Sequence, residues 1–269
     1  MRRCISRHAA VVAGRRAPCH LRAMLEDLIL FVDGEAIVID KPAGLPVDHP
    51  RAGGDSIEAR IGELTLGFAR PPVAMHRLDR DTSGCLLFAR NHKSRAKFQQ
   101  AFEGGLVSKS YIAVVDGETP GEEGVIDLPV AKRSSAARGW RMVVEEGGKQ
   151  AVTRWRRIGA IDGQSLVEFR PSTGRTHQIR VHLTHAGHGL LGDQTYGGKR
   201  RLSPKVVGEV AADLGNLFPR QALHAATLGF SHPVTGEMLE FASPLHADMA
   251  NLIDVLRRGK GDAVSLTSL

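Results

Sequence analysis

Residues 76 to 84, HRLDRDTSG, place His76, Arg77, Asp79, Arg80 and Asp81 directly ahead of the apolar run CLLFAR. A turn into a strand needs one or two polar residues, so five ionisable groups ask for another use. Arg77 and Arg80 flank Asp79, and a neighbouring guanidinium favours the ionised form of a carboxylate. Asp79 thus reads as a permanent anion, suited to act as nucleophile or electrostatic stabiliser and poorly suited to act as general acid. The competing reading is a solvated ion-pair cluster at the start of a strand.

A second cluster is TGRTHQIRVHLTHAGH, residues 173 to 188. On helical spacing His177, Arg180 and Thr184 share one stripe, Gln178, His182 and His185 another, and Ile179, Leu183 and Ala186 the apolar side. Arg175 and Arg180 suit a carboxylate or phosphate partner, which a guanidinium fork binds at two points. Zinc held by His177, His182, His185 and His188 is a weaker reading, because the spacing fits no common site and no nearby Cys or Glu completes the set. Hydrogen-bonded or solvent-facing histidines are the simpler account. The third feature is Tyr111 in SKSYIAVVDG, one of two tyrosines in the chain. By itself it reads as a core aromatic, while a ring beside Lys109 also suits base stacking.

These side chains need elements to position them. LILFVD and AIVIDKP read as two strands around a turn at Asp33 and Gly34. Pro42 and Pro46 make KPAGLPV a shaped loop, since they lack an N–H for a ladder. A short helix is expected over 55–67, a buried strand over GCLLFAR, a helix over NHKSRAKFQQAFEGG and a strand over KSYIAVVDG. The polar segment 117–139 reads as loops with one short strand. KQAVTRWRRIGAI and SLVEFRP pair across Asp162 and Gly163. The histidine-rich stretch reads as a helix, with Thr173 as its cap and Gly187 as its stop. ALHAATLGFSHPVTGEMLEFASPL forms a third hairpin. A closing helix over 246–258 buries Leu252, Ile253, Val255 and Leu256. Hairpin connections dominate, so the fold class is α+β, a mixed and largely antiparallel central sheet with flanking helices.

Composition narrows the function classes. The chain has 269 residues and a net charge of +7. Residues 1–23 hold six arginines and no acid; without them 30 Lys and Arg stand against 29 Asp and Glu. The high pI therefore reports a basic, disordered arm, which also resembles a transit peptide or lies ahead of a true start at Met24. Basic clusters remain at 132–133, 154–157 and 199–201. No apolar stretch is long enough for a membrane span. Three scattered cysteines, Cys4, Cys19 and Cys85, argue for a reducing, cytoplasmic setting. Residues 24–258 read as the catalytic unit and 259–269 as a loose tail.

HRLDRDTSG, together with KPAGLPV, SKSYIAVV, TGRTHQIRVHL, GDQTYGG and LHAATLGFSHPVTGE, resembles the RluA-type pseudouridine synthases, in the family's order from about residue 28 to about 246. The resemblance implies that family's fold, with an RNA-binding cleft, and isomerisation of uridine to pseudouridine in RNA without cofactor or metal. It implies that Asp79 is the essential aspartate, Tyr111 stacks on the target base and Arg180 pairs with the aspartate. Arg77 would fill the space left by the flipped nucleotide, and Leu223 would line the pocket. His76, Arg80, Arg175 and His177 are expected to contact RNA. A uracil must leave its stack before any of its atoms is reachable. Whether Asp79 attacks C1′ or C6, or abstracts a ribose proton, stays open. Only about 27 residues precede the first strand, so the chain resembles the compact members that lack an N-terminal RNA-binding domain. The RNA partner is a transfer RNA or large-subunit ribosomal RNA stem-loop, with transfer RNA slightly favoured, and the protein is expected to be a monomer. The alternative is a non-catalytic RNA-binding protein on the same fold.

Overall fold

Apolar runs become the central strands of a single large sheet. The computed structural model describes residues 23–135, 139–161, 163–197 and 218–258. Most of the basic arm, the cluster at 199–201 and the 259–269 tail lie outside them. The strands are β1 (Ile29–Val32), β2 (Ala36–Lys41), β3 (Val73–Ala74), β4 (Ser83–Ala89), β5 (Ser108–Asp116) and β6 (Glu123–Asp127), then β7 (Val130–Ser135), β8 (Gly139–Val144), β9 (Val152–Ile161), β10 (Gln164–Pro171), β11 (Leu223–Ser231) and β12 (Met238–Ala242). Ten of them form one sheet, ordered β1-β2-β4-β11-β5-β10-β9-β6, with β3 on β4 and β12 on β11. Only β4 and β11 run parallel; β7 and β8 make a separate ribbon.

The expected hairpins form, and local chemistry explains the first. The Asp33 carboxylate accepts the backbone N–H groups of Glu35 and Ala36, both at 2.8 Å, so its side chain closes the turn. Every residue of β4 is buried. A strand covered on both faces reads as a continuous apolar run rather than an alternation. Residues Ala36, Val38, Cys85, Leu87, Leu228 and Phe230 point to one face, under α1 (His92–Glu103). Ile112 and Val114 meet α3 (Ala247–Arg258) on that face through Met249, Leu252 and Ile253. Ile37, Ile39, Leu86 and Phe88 point to the other face. There Ala113, Val115 and Leu223 meet Ile179 and Leu183 of α2 (Gln178–His185). Tyr111 packs against both of these clusters and so marks the seam between them.

Three expectations change. Residues 55–67 hold turns and one 3-10 turn, Ile61–Leu64, instead of a helix. Leu66 and Gly67 both adopt positive φ there, which an α-helix cannot continue through. The 117–139 segment is mostly strand: β6 edges the main sheet and β7 starts the ribbon that packs on α2. A ribbon with one docked face needs few apolar residues, so its pattern looks like loop. α2 begins five residues after Thr173. Its N-cap is His177, in a left-handed conformation at φ 54. Thr173 instead donates to the side-chain Oε1 of Gln178 at 2.7 Å and accepts the Val152 N–H at 3.0 Å, pinning the turn to β9. Gly187 ends the helix as expected, at φ 84. Among the described residues no helix is long and apolar enough to cross a membrane.

Candidate active site

Asp79 lies on the loop between β3 and β4, and buried cations hold that loop from below. Lys41, fully buried at the end of β2, donates to the carbonyls of Pro42 and Leu45 at 2.8 Å and of Arg80 at 3.1 Å. Burial pushes its pKa down to about 7 against the pull of Asp81. The Gly44 N–H also reaches the Arg80 carbonyl, at 2.9 Å. This explains KPAG: the lysine ties its own loop and the aspartate loop to one ammonium. From the other side Arg220 donates to the Asp81 carbonyl at 3.0 Å while gripping both carboxylate oxygens of Asp248 on α3. Gln221 donates to the Thr82 hydroxyl at 2.7 Å. Gly84, at φ 113, lets β11 approach, since a Cβ there would run into the Ala225 carbonyl.

The Asp79 carboxylate reaches across the cleft to α2. Arg180 donates through Nη1 to Asp79 Oδ2 at 2.7 Å, and through Nε and Nη2 to the two oxygens of Asp193 at 2.7 and 2.9 Å. One guanidinium thus serves two carboxylates, with Asp193 as the two-point partner. The side chains of Arg180 and Asp193 are 7% and 1% exposed, and that of Asp79 is 22% exposed. Burial opposes the arginine's charge, but the Asp193 hydrogen bonds and both carboxylates outweigh it and raise its pKa above the ordinary value. Asp193 in turn accepts the N–H groups of Thr195 and Tyr196 at 3.0 and 3.3 Å. Asp79 Oδ1 has no hydrogen bond among the described residues; His177 Nε2 is 3.7 Å away.

The remaining walls of the cleft are Leu78, Thr82, Lys109, Tyr111, Leu223 and the 171–179 segment. Burial raises the Tyr111 phenol above its ordinary pKa, and Asp79 adds to this. His177 packs between Trp140 of β8, a stacked ring at 5.5 Å, and Tyr196, whose hydroxyl is 2.8 Å from Nδ1. Tyr196 also accepts the Met142 N–H at 3.1 Å. The ribbon is thereby tied to the site. Asp193, Tyr196, Trp140, Lys41 and Arg220 carried no role in the sequence reading. GDQTYGG pointed at the first two, because an acid and a tyrosine in a glycine-rich loop are rarely idle.

The structure brings Asp79, Tyr111, Arg180, Leu223, Arg175 and His177 to one cleft, and turns others away. The arginines flanking Asp79 do not pair with it. Arg77, 62% exposed, bonds Asp48 at 2.5 Å, and Arg80 donates to the Gly44 carbonyl at 3.2 Å. The loop turns at Asp79–Thr82 and carries both arginines outward, so sequence proximity misled; the partner comes from 101 residues away. Arg175 is exposed and donates to the Gln150 carbonyl at 3.0 Å. His76 is a correction. Its Nε2 accepts the Leu87 N–H at 3.1 Å, its ring tilts on Phe102, and burial and Lys109 push its pKa down to about 3. It straps β4 and has no wall of the cleft. His182 is buried between Thr153 and the Leu128 carbonyl, both at 2.9 Å. The four histidines do not converge, and among the described residues no metal-ligating group of three or more is found.

These neutral histidines predict acid sensitivity. Burial also lowers His224 to about 4, in hydrogen bonds to Ser83 at 2.9 Å and the Ser243 carbonyl at 3.2 Å. Between pH 6.5 and about 4 the unfolded chain takes up protons that His76 and His224 refuse when folded. Stability should therefore fall as pH drops through this window, with a slope that reaches at most about 2.7 kcal/mol per pH unit for two protons. Urea unfolding at stepped pH measures this. A flat profile between pH 6.5 and 4.5 would contradict the assignment of both rings as neutral.

A family model described as RNA pseudouridylate synthase matches residues 35–185, which include Asp79, Tyr111 and Arg180. An uncharacterized RNA pseudouridine synthase of Zymomonas mobilis is 51% identical over 175 residues, 65% of this chain and 80% of that protein. Ribosomal large subunit pseudouridine synthase D of the same organism is 40% identical over 238 residues, 85% of this chain and 72% of that one. The solved structure of human RNA Pseudouridylate Synthase Domain Containing 4 matches with a TM-score of 0.71 and 26% identity, over 87% of this chain and 94% of that one. The chain belongs to the RNA pseudouridylate synthase family and is an isomerase that converts uridine to pseudouridine in RNA.

Proposed function

We propose that the protein modifies a uridine in large-subunit ribosomal RNA, with Asp79 as the catalytic carboxylate. The observation that carries this is the 2.7 Å bond from Arg180 to one oxygen of Asp79, in a cleft whose wall is Tyr111. Arg180 holds the carboxylate aimed, and the second oxygen is left for the nucleotide. Tyr111 is the platform on which the detached uracil is retained while it turns, because a two-step isomerisation fails if the base escapes. Leu223 closes the apolar side of the pocket. Arg77, exposed at the rim and tied only to Asp48, is free to exchange that partner for the space vacated by the flipped nucleotide. Arg80, Arg175 and His177 face the RNA around it. The choice of ribosomal RNA over transfer RNA rests on relatives named for the large subunit, including one from Haemophilus influenzae at 38% identity. Residues 24–258 act as one catalytic unit, a cytoplasmic monomer that reads a stem-loop by shape.

Incubation of the purified protein with unmodified large-subunit ribosomal RNA and with unmodified transfer RNA, followed by site-by-site pseudouridine mapping, tests this. One or a few new sites in the ribosomal RNA are expected. Sites confined to transfer RNA would overturn the target, and no site in either would overturn the reading.

A further inference from the structure

Lys109 is a cation of the cleft for which the described residues give no hydrogen bond or ion pair. It precedes Tyr111 by two positions on β5, so strand alternation places both side chains on the cleft face. Its neighbours are the Phe102 ring, whose centroid is 5.8 Å from Nζ, and the backbone at Gly174, where an added Cβ would stand 3.6 Å from Nζ. Half-buried charges are normally paired, because an unpaired one has lost water without compensation. An unpaired ammonium at the mouth of a binding cleft therefore points to an anion that arrives with the ligand. The carboxylate of Asp79 acts on Tyr111, whereas burial alone acts on Lys109 and lowers its pKa. Arg175, an exposed residue, lines the same cleft.

We propose that Lys109, with the turn at Gly174 and Arg175, binds a phosphodiester next to the flipped uridine. This rests on the reading that the uridine enters the Asp79 cleft. The ammonium, the glycine backbone and the tyrosine line the same cleft, with Nζ close to the turn at Gly174. The stacking face and the backbone grip then come from one strand, which fixes how far the nucleotide can enter. Lys109 is a binding residue and takes no part in bond making.

The test compares wild type, Lys109→Met and Lys109→Arg on a large-subunit ribosomal RNA transcript. Equilibrium binding is measured across potassium chloride concentrations, beside single-turnover kinetics. Lys109→Met should lower the salt slope of log K by about 0.7 to 0.9, the value of one phosphate contact. It should raise KM for RNA about tenfold, with the rate at saturating RNA within about twofold of wild type. Its melting temperature should hold or rise, because an unpaired charge is removed from a half-buried place. Lys109→Arg should keep the slope. An unchanged slope in Lys109→Met, or a saturated rate that falls with affinity intact, overturns the proposal. If wild type modified no RNA at all, the function reading would fall, while the salt slope would still decide the lysine because it reads binding alone.

Discussion

Asp79→Asn is expected to lower the single-turnover rate of pseudouridine formation by at least about four orders of magnitude, the scale seen when a reacting carboxylate or its equivalent is removed. The amide keeps the size and one oxygen of the carboxylate, but it cannot act as nucleophile or base. The fold should survive. Arg180 keeps its two bonds to Asp193, so no buried charge is left unpaired, and stability should move by less than about 2 kcal/mol. Affinity for RNA should hold or improve, since a negative charge leaves a site that must accept phosphates nearby. Single-turnover assays with saturating enzyme, beside binding and urea unfolding, separate the three effects. A variant within tenfold of the wild-type rate would remove Asp79 from the chemistry and revive the reading of a binder on a catalytic fold.

The second large effect is expected at Asp193, which touches no substrate. Asp193→Ala removes both bonds that fix Arg180 in a nearly dry setting and leaves its charge to the half-exposed Asp79 alone. Breaking one partner of a buried pair costs about 3–5 kcal/mol. It also releases the N–H groups of Thr195 and Tyr196, and with them the loop that holds His177. Asp193→Asn is the more informative variant. It keeps the shape and acceptor while removing the charge, so it should fold with a smaller loss. Its saturated rate should still drop by at least tenfold, because Arg180 is free to turn from Asp79, with RNA affinity little changed. A wild-type rate and stability in Asp193→Asn would make the second carboxylate incidental.

The two arginine-rich stretches fared differently as sequence signals, and the difference has a physical cause. In HRLDRDTSG the flanking arginines looked like the partners of Asp79. The loop turns at Asp79–Thr82 and carries both arginines out to solvent, where they end on Asp48 and on Asp81 with Gly44. In TGRTHQIRVHL both Arg175 and Arg180 were read as seeking a carboxylate or phosphate; Arg180, carried on the helix, meets the carboxylates of Asp79 and Asp193 from two separate loops, while Arg175 bonds the Gln150 carbonyl. His76 does not line the cleft, because a histidine within a charged motif can still turn inward; its ring nitrogen accepts the Leu87 N–H. The 117–139 segment failed because an exposed ribbon docked by one face has almost no apolar alternation to read.

What the sequence by itself determined is what local chemistry dictates. The hairpins closed at Asp33 and Gly163, the buried run of β4, the helix after Asn91 and the glycine stop at Gly187 follow from turn residues, hydrophobic period and caps. The ordered set of motifs also carried the family and its reaction. What only the tertiary structure decided are the pairings between distant segments: Arg180 with Asp79 and Asp193, Lys41 beneath Arg80, and Arg220 between Asp81 and Asp248. Each is a charge that burial would make costly alone, so each must find a partner wherever the sheet order brings one. The parallel contact of β4 with β11 is what sets the Asp79 loop beside Arg220 and Leu223. No spacing along the chain encodes that contact.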